Sequence, residues 1–187
     1  MRKHELEAEF EATFNGAMMK RVVVRPMHAG DISAVLEIQS HCYDETKLES
    51  FQAFLAKFEA TPNTCFIALL ADVPAGYLVA LPVVEGHPPP LNGTSYSVPQ
   101  AANSLYLHDL AVLPKARGTG AADALVAAYF QALKQSQVQF GCLTAVNASS
   151  SYWERFGFRP AALADESSGH MLTYGEGAQY MSLRVGV

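Results

Sequence analysis

Apolar residues recur every three or four positions in several stretches of this 187-residue chain, with polar residues between them. This spacing places the apolar side chains on one face of a helix. The stretch within 1–19 predicts an amphipathic helix ahead of the domain or, if the chain naturally starts at Met18 or Met19, an upstream extension. One domain is then expected over 20–187. The other predicted helices cover 30–38, 48–58, 121–134 and 149–156.

Short apolar runs bounded by Pro, Gly or Asn predict strands. The longest run, 65–84, is broken by Asp72-Val73-Pro74-Ala75-Gly76, which favours a hairpin of two buried strands over a membrane helix. A strand, a helix and a strand between 104 and 146 imply a parallel pair. The fold class is therefore α/β (α+β), a mixed central sheet flanked by helices. The predicted strands cover 21–25, 65–71, 75–84, 104–112, 138–146, 158–163 and 179–185.

Composition narrows the class of protein. With 50% hydrophobic and 17% charged residues, the chain predicts a folded domain and excludes a largely disordered protein. The net charge of −5 argues against a nucleic-acid partner. The first residues lack the apolar core of a signal peptide, so we expect a cytoplasmic protein with no membrane partner. Three cysteines, far apart at 42, 65 and 142, favour reduced thiols, and no metal site is expected.

The segment Arg117-Gly118-Thr119-Gly120-Ala121-Ala122 lies between a predicted strand and the longest predicted helix. Glycines let the backbone approach a ligand closely, and the first N–H groups of a helix have no partner within it. Together with the helix dipole and the charge of Arg117, they predict an anion site. The alternative is a plain strand-to-helix turn that uses glycines for geometry. The spacing fits neither a Walker loop nor a dinucleotide fingerprint.

This segment matches Arg/Gln-x-x-Gly-x-Gly/Ala, the coenzyme A pyrophosphate loop of the GNAT superfamily of N-acetyltransferases. The run Ser104–Val112 resembles the family's fourth strand, and Trp153-Glu154-Arg155-Phe156-Gly157-Phe158 resembles its later motif. The three motifs occur in the family's order, and the resemblance extends from about residue 20 to 186. It implies a GNAT fold of six to seven strands with a splayed fourth and fifth pair. It also implies an acetyl-CoA-dependent N-acetyltransferase of the small bacterial type.

The resemblance assigns the coenzyme contacts residue by residue. Backbone N–H groups from Arg117 to Ala122, including Gly118, Thr119, Gly120 and Ala121, would hold the pyrophosphate. Leu110, Ala111 and Val112 would pair with the pantetheine arm, with the Leu110 N–H donating to the thioester carbonyl.

Three later residues complete the assignment. Asn147 falls near the family's pantetheine-contacting Asn. Trp153 would pack against pantetheine or the core. Arg155 would approach a coenzyme phosphate or remain an exposed helix charge.

The chemistry that the resemblance implies needs a proton acceptor, because an alkylamine is protonated at neutral pH. His108 is the first candidate, and a hydrogen-bonded structural histidine is the alternative. This strand also resembles that of arylalkylamine N-acetyltransferases, which carry His at the places of Tyr106 and His108. Regular alternation would place Tyr106, His108 and Leu110 on one face and Asp109 on the other. A bulge would change that phase, so Asp109 is the second candidate.

The proton donor is open at this point. Trp153 stands where the family often has Tyr, and an indole cannot donate in this pH range. Tyr152, Tyr106 and Tyr96 are other hydroxyls in reach of the predicted site. The thiolate could also leave unassisted or through water.

The acceptor side of the predicted site includes an irregular loop, 85–103, with three consecutive prolines. We expect either a stiff flap over the acceptor pocket or an ordinary solvated loop. On the acceptor side as a whole, acidic residues would attract a cationic amine, and aromatic residues would pack against it. The candidates are Asp44, Glu45, Glu85, Tyr43, Phe51 and Tyr96. The predicted acceptor is the primary amine of a small molecule. A protein or peptide acetyltransferase and a catalytically silent acyl-CoA-binding module are the alternatives, and a homodimer is common in the family.

Overall fold

A seven-stranded sheet runs through the computed structural model, which describes residues 21–186. The strands are β1 (Val22–Pro26), β2 (Cys65–Leu70), β3 (Val73–Val83), β4 (Ser104–Val112), β5 (Phe140–Ala145), β6 (Arg159–Pro160) and β7 (Gln179–Arg184). Their order is β1-β2-β3-β4-β5-β7-β6. β4 and β5 are parallel, and the other neighbours are antiparallel. The mixed sheet, the hairpin and the parallel pair are confirmed.

Helices cover both faces of the sheet. They are α1 (Ile32–Cys42), α2 (Phe51–Ala60), α3 (Ala121–Gln135), α4 (Ser150–Glu154) and α5 (Ser168–Leu172). α1 and α2 pack on one face, called the α1 face, where Val35 and Phe54 join a buried apolar cluster. α3 packs on the other, the α3 face, where Leu125 and Tyr129 belong to a second cluster. The helix predicted within 1–19 lies outside the described residues.

The hairpin β2–β3 is buried on both faces, because Ile67 and Tyr77 point into the α1-face cluster while Ala68 and Leu78 point into the α3-face cluster. Such strands read as continuous apolar runs rather than alternating ones. The strand predicted over 158–163 is reduced to Arg159–Pro160, since proline has no N–H to donate to a ladder. α5 is an element that the apolar spacing does not predict.

β4 and β5 separate partway along their length. β4 pairs with β3 from Ser104 to Val112, but its pairing with β5 ends at Leu107 and Leu143. Beyond that point β4 has no strand neighbour on its β5 side among residues 21–186. The splayed pair that the family resemblance implies is therefore present.

A β-bulge interrupts β4 at the splay. Val79 of β3 lies opposite Asp109, and the next residue, Ala80, lies opposite Leu107, so His108 is the extra residue. Regular alternation therefore holds as far as His108 and is wrong from Asp109 on, and the bulge considered as the alternative is present. Asp109 shares the α1 face with Tyr106, whereas Leu110 packs in the α3-face cluster. One extra residue shifts the phase of every side chain that follows it.

Candidate active site

A cavity of about 350 Å³ lies at the splay between β4 and β5. Of the residues predicted for the site, ten line it: His108, Asp109, Leu110, Ala111, Val112, Arg117, Ala122, Asn147, Tyr152 and Trp153. Six others are not among the lining residues: Tyr106, Gly118, Thr119, Gly120, Ala121 and Arg155. The cavity thus joins the end of β4, the start of α3 and α4. Its lining also includes Lys47, Leu91 and Tyr174, which come from distant parts of the chain.

One end of the cavity is built from backbone. Gly118 and Gly120 have φ of 76° and 87°, and a side chain built on either would meet no atom within 4 Å. These left-handed turns direct the chain into α3, and Gly120 is the N-cap. The first N–H groups of α3 lack intrahelical partners, and exposed Arg117 adds a positive charge beside them. This end, called the anion end, suits a phosphate group.

The other end, called the acceptor end, holds the bulge residue His108. The histidine side chain is fully buried. Its Nε2 lies 3.0 Å from Oε2 of Glu49, and its Nδ1 lies 3.4 Å from the hydroxyl of Tyr174. That hydroxyl donates to the carbonyl oxygen of Pro89 at 2.6 Å. Since a carboxylate can only accept, the neutral ring carries its proton on Nε2, and Nδ1 is the free acceptor.

Glu49 is the centre of a buried charge network. Its Oε1 accepts from Nζ of Lys57 at 2.7 Å and from the backbone N–H of Asn92 at 2.6 Å, while Oε2 faces His108. The side chains of Lys57 and Glu49 are 2% and 1% exposed. Burial opposes the charge on Glu49, but attraction and hydrogen bonds from His108 and Lys57 prevail and lower its pKa to about 2. Glu49 is therefore ionised beside Lys57, and both side chains are shielded from solvent.

Asp109 has two tyrosine partners on the α1 face. Tyr43 donates to Oδ1 at 2.7 Å, and Tyr77 donates to Oδ2. Tyr43 also donates to the carbonyl oxygen of Leu110 at 3.0 Å. Burial raises the pKa of Asp109 above its ordinary value despite these donors. The bulge thus brings both candidate bases to one face, with the carboxyl of Asp109 already engaged.

The candidate proton donors differ in what their hydroxyls contact. Tyr106 donates to Oγ1 of Thr144 at 2.7 Å. Tyr96 donates to the carbonyl oxygen of Pro82 and does not line the cavity. Tyr152 does line it, and its buried hydroxyl has no partner within residues 21–186. Burial raises the pKa of Tyr152, with Asp123 adding to the rise and Arg155 opposing it. Tyr152 therefore has a free hydroxyl near the start of α3.

The residues of the later motif pack around Tyr152. Trp153 is buried against the rings of Tyr152 and Phe158 on the α3 face. The guanidinium of exposed Arg155 lies 5.7 Å from the centroid of the Tyr152 ring. Asn147 lines the cavity with φ of 53°, a left-handed turn at the end of β5. Trp153 thus belongs to the α3-face cluster and also lines the cavity, while Arg155 lies outside the cavity lining.

The proline-rich loop after β3 closes the acceptor end. The Asn92 Oδ1 accepts from the N–H of Ser50 at 2.9 Å, and the Leu91 N–H donates to Oγ1 of Thr173 at 2.9 Å. The Pro88 carbonyl lies 2.9 Å from Nδ1 of His170. The loop is therefore attached to α2 on one side and to the α5 segment on the other. An ordered flap matches these contacts better than a solvated loop.

None of the three acidic residues expected around the acceptor lines the cavity. Glu45, Glu85, Phe51 and Tyr96 do not line the cavity. Asp44 is exposed and pairs with Nζ of Lys47 at 2.6 Å. Of the expected acceptor residues, Tyr43 lines the cavity.

The sequence analysis missed Glu49, Lys57 and Tyr174. Lys57 follows Phe54 by three positions and so lies on the apolar side of α2, a place where a charge is unusual. That position could have drawn attention to the lysine. The sequence holds no comparable indication that Glu49 and Tyr174 approach His108.

The thiols, potential metal ligands and helices of residues 21–186 bear on other kinds of function. Cys42, Cys65 and Cys142 are free thiols, as expected. Burial raises the pKa of the Cys65 thiol, and that of the Cys142 thiol, to about 12. The described residues hold no cluster of metal-ligating side chains. Among these residues there is also no helix long and apolar enough to cross a membrane.

Comparisons with known proteins place this geometry in a family. The model of the Acetyltransferase (GNAT) family matches residues 32–158. No functionally curated protein matches the chain by sequence.

Several solved structures share the fold. The loading GNATL domain of CurA from Lyngbya majuscula is 12% identical, with a TM-score of 0.72 and coverage of 88% of this chain and 98% of that one. The ribosomal-protein-S18-alanine N-acetyltransferase from Escherichia coli is 15% identical, with a TM-score of 0.62 and coverage of 89% and 96%. The PaiA N-acetyltransferase from Thermoplasma acidophilum, solved with coenzyme A, is 13% identical, with a TM-score of 0.62 and coverage of 88% and 99%.

Proposed function

The chain belongs to the GNAT acetyltransferase family, and from that membership we propose an acetyl-CoA-dependent N-acetyltransferase whose acceptor is the primary amine of a small molecule. One observation carries the proposal. A single cavity connects an anion end at the start of α3 with a buried histidine, and an ordered loop closes the histidine's side.

The residues at the anion end fit a coenzyme. Gly118 and Gly120 leave open space where any other residue would place a side chain, and the first turn of α3 offers N–H groups beside Arg117. Within the described part of the chain, the β4 edge beyond Leu107 has no strand partner on its β5 side, so Leu110 to Val112 are available to pair with the amides of pantetheine. When bound, acetyl-CoA supplies the acetyl group, whose bond to sulfur breaks as the bond to the amine nitrogen forms.

Tyr152 belongs with the coenzyme-binding residues in this proposal. Its free hydroxyl lines the cavity, and its electrostatic neighbours are Asp123 and Arg155, at the anion end rather than beside His108. A donor in that place stabilises a bound coenzyme. This assignment replaces the catalytic role given to Tyr152 by sequence.

His108 accepts the proton that the amine loses. Its Nδ1 is the acceptor atom of the neutral ring, because Nε2 is held by Glu49. Histidine is the side chain that most often serves as a general base, whereas a carboxyl as acidic as Glu49 would accept a proton poorly. Asp109 is less suited, since Tyr43 and Tyr77 occupy both of its oxygens.

A small acceptor follows from the closure of the acceptor end. Leu91 and Tyr174 line it, and their two segments are hydrogen-bonded to each other. Asn92 in turn bonds the loop to Ser50 and Glu49. Tyr43 and Leu91 offer apolar surface to the body of the amine, and the carboxyl of Asp109 lies nearby. A peptide would need the proline-rich loop to leave its attachment to α2.

The experiment that tests this function has two arms. Acetyl-CoA at millimolar concentration is expected to raise the melting temperature of the protein, whereas no shift would reject the coenzyme assignment. Release of free thiol is then measured with a panel of small primary amines and a panel of peptides, each against a reaction without acceptor. Turnover confined to peptides would reject the small acceptor, and coenzyme binding without turnover on either panel would indicate a silent module.

A further inference from the structure

The buried lysine on α2 has no part in the reaction proposed above. The Nζ of Lys57 lies 2.7 Å from Oε1 of Glu49, 3.3 Å from the carbonyl oxygen of Gly93 and 3.4 Å from that of Ala53. Burying an ammonium group is costly, and an apolar side chain of similar size usually serves stability as well or better. Packing alone therefore does not explain why a lysine occupies this buried position.

Glu49 is shared between Lys57 and His108, one on each oxygen. The carboxylate is also fixed in place. The side-chain amide of Gln39 accepts from the Glu49 N–H at 2.8 Å and donates to the Glu49 carbonyl at 3.0 Å. The N–H of Asn92 adds a donor at 2.6 Å. Lys57 cannot be removed without leaving the buried carboxylate of Glu49 short of a positive charge.

We propose that Lys57 is a positioning residue that acts on His108 through Glu49: its ammonium offsets the charge of the shared carboxylate, so that the histidine remains neutral and able to accept a proton near pH 7. The proposal rests on the function argued above. With the carboxylate alone, a buried imidazole would be held in its charged form, because an opposite charge within hydrogen-bonding distance favours ionisation. A protonated His108 cannot act as a base.

The other groups around His108 do not supply this offset. Tyr174 faces it from the segment after α5, and Tyr106 lies beside it on β4 with ring centroids 6.0 Å apart. Both hydroxyls donate elsewhere, to Pro89 and Thr144. Asp109, the next residue on β4, is a second carboxyl. If ionised, it would also favour the protonated form of His108. Compared with these groups, the Lys57–Glu49 pair is the one that brings a positive charge close to His108.

The test measures the pKa of His108 directly. Ring signals of labelled histidine are followed by NMR across pH, with the signal of His108 identified by its loss in His108→Gln. Lys57→Met is expected to raise the pKa of His108 by about one unit or more. Glu49→Gln is expected to lower it, because the charge of Lys57 is then unopposed. Lys134→Met, the same substitution on the exposed side of α3, serves as the matched control and should leave the pKa of His108 unchanged.

Enzyme activity gives the second measurement. The acidic limb of the kcat/KM profile is expected to move to higher pH in Lys57→Met and to lower pH in Glu49→Gln, each by the amount seen in the NMR titration. A purely structural role would lower activity at every pH without moving the limb. An unchanged pKa of His108 in a folded Lys57→Met variant would overturn the proposal.

Two outcomes separate this proposal from the proposed function. If the protein transfers no acetyl group, the NMR titration still decides whether Lys57 tunes His108. If acetyl transfer occurs but the pKa of His108 is the same in Lys57→Met as in wild type, the proposed function is supported and the proposed role of Lys57 is wrong. Should Lys57→Met fail to fold, the double variant Lys57→Met/Glu49→Gln is compared with Glu49→Gln. The pKa of His108 must be higher in the double variant, and equal values would reject the proposal.

Discussion

The two ends of the cavity are built in opposite ways. The anion end lies against the consecutive residues 117–122, of which Arg117 and Ala122 line the cavity, and offers mainly backbone N–H groups. The acceptor end is lined by Leu91, His108 and Tyr174 from separated places in the chain, with Glu49 behind His108. A site of the first kind depends on local chain geometry, and one of the second kind depends on how distant segments pack. Substitutions should therefore have different consequences at the two ends.

The largest effect is expected from His108→Gln at the acceptor end. Loss of the proton acceptor should lower kcat/KM by about 10²–10⁴-fold, the usual contribution of a general base. The affinity for acetyl-CoA should remain, since the anion end is untouched. His41→Gln on the exposed side of α1 is the control. A variant that lost coenzyme binding together with activity would contradict the separation of the two ends.

A similarly large effect is expected on acid stability. The pKa of Glu49 is about 2 in the folded protein, against 4.5 for a free glutamate. Because the folded pKa is the lower one, the stabilisation is complete above about pH 4.5 and is lost as the pH falls toward 2. At ~1.36 kcal/mol per pKa unit the whole shift corresponds to about 3 kcal/mol at most, and the part due to attraction from a protonated His108 is absent where His108 is neutral.

Urea unfolding of wild type and Glu49→Gln measures this contribution. The difference in unfolding free energy between the two proteins should shrink between pH 7 and pH 2.5. Glu37→Gln, at an exposed position on α1, should show no such trend. A difference that is the same at both pH values would contradict the ionised, buried state of Glu49.

The anion end should respond to backbone geometry instead. Gly120→Ala forces an alanine to a φ of 87°, which costs about 1–2 kcal/mol in the left-handed region. We expect the KM for acetyl-CoA to rise about tenfold, as ~1.4 kcal/mol of lost binding would give, with kcat little changed. Gly30→Ala, another exposed glycine but without positive φ, is the control. Equal behaviour of the two variants would show that the turn does not matter for the coenzyme.

The smallest effect is expected from Tyr152→Phe. Removing one neutral hydrogen bond costs about 0.5–1.5 kcal/mol, so the KM for acetyl-CoA should rise by several-fold at most. Tyr96→Phe removes a hydroxyl outside the cavity and should leave that KM unchanged. A fall in kcat without a change in KM would instead return Tyr152 to the role of proton donor.

The same contrast explains what could be predicted from sequence. β4, the glycine turn and α3 follow one another along the chain, and local rules of periodicity and turn chemistry place them within one or two residues. The role proposed for residues 117–122 depends only on their order in the chain. Ten of the predicted site residues accordingly line the cavity.

The acceptor end could not be predicted in this way. Glu49 and His108 are 59 positions apart, and Tyr174 is 66 positions beyond His108. Their contacts depend on how the loop after β3 and the segment after α5 pack on the sheet. The bulge could not be predicted from local sequence either, because it is fixed by the register between β3 and β4 rather than by any residue type. The expectation for the face of Asp109 was wrong for that reason.

The bulge at His108 also affects how this chain is compared with its relatives. A fourth strand without the extra residue aligns with β4 only if a one-residue gap is placed opposite His108. An alignment that forbids gaps inside strands would match residues that face opposite sides of the sheet. Whether a relative has a residue equivalent to His108 is therefore better judged by superposing the structures than from a sequence alignment.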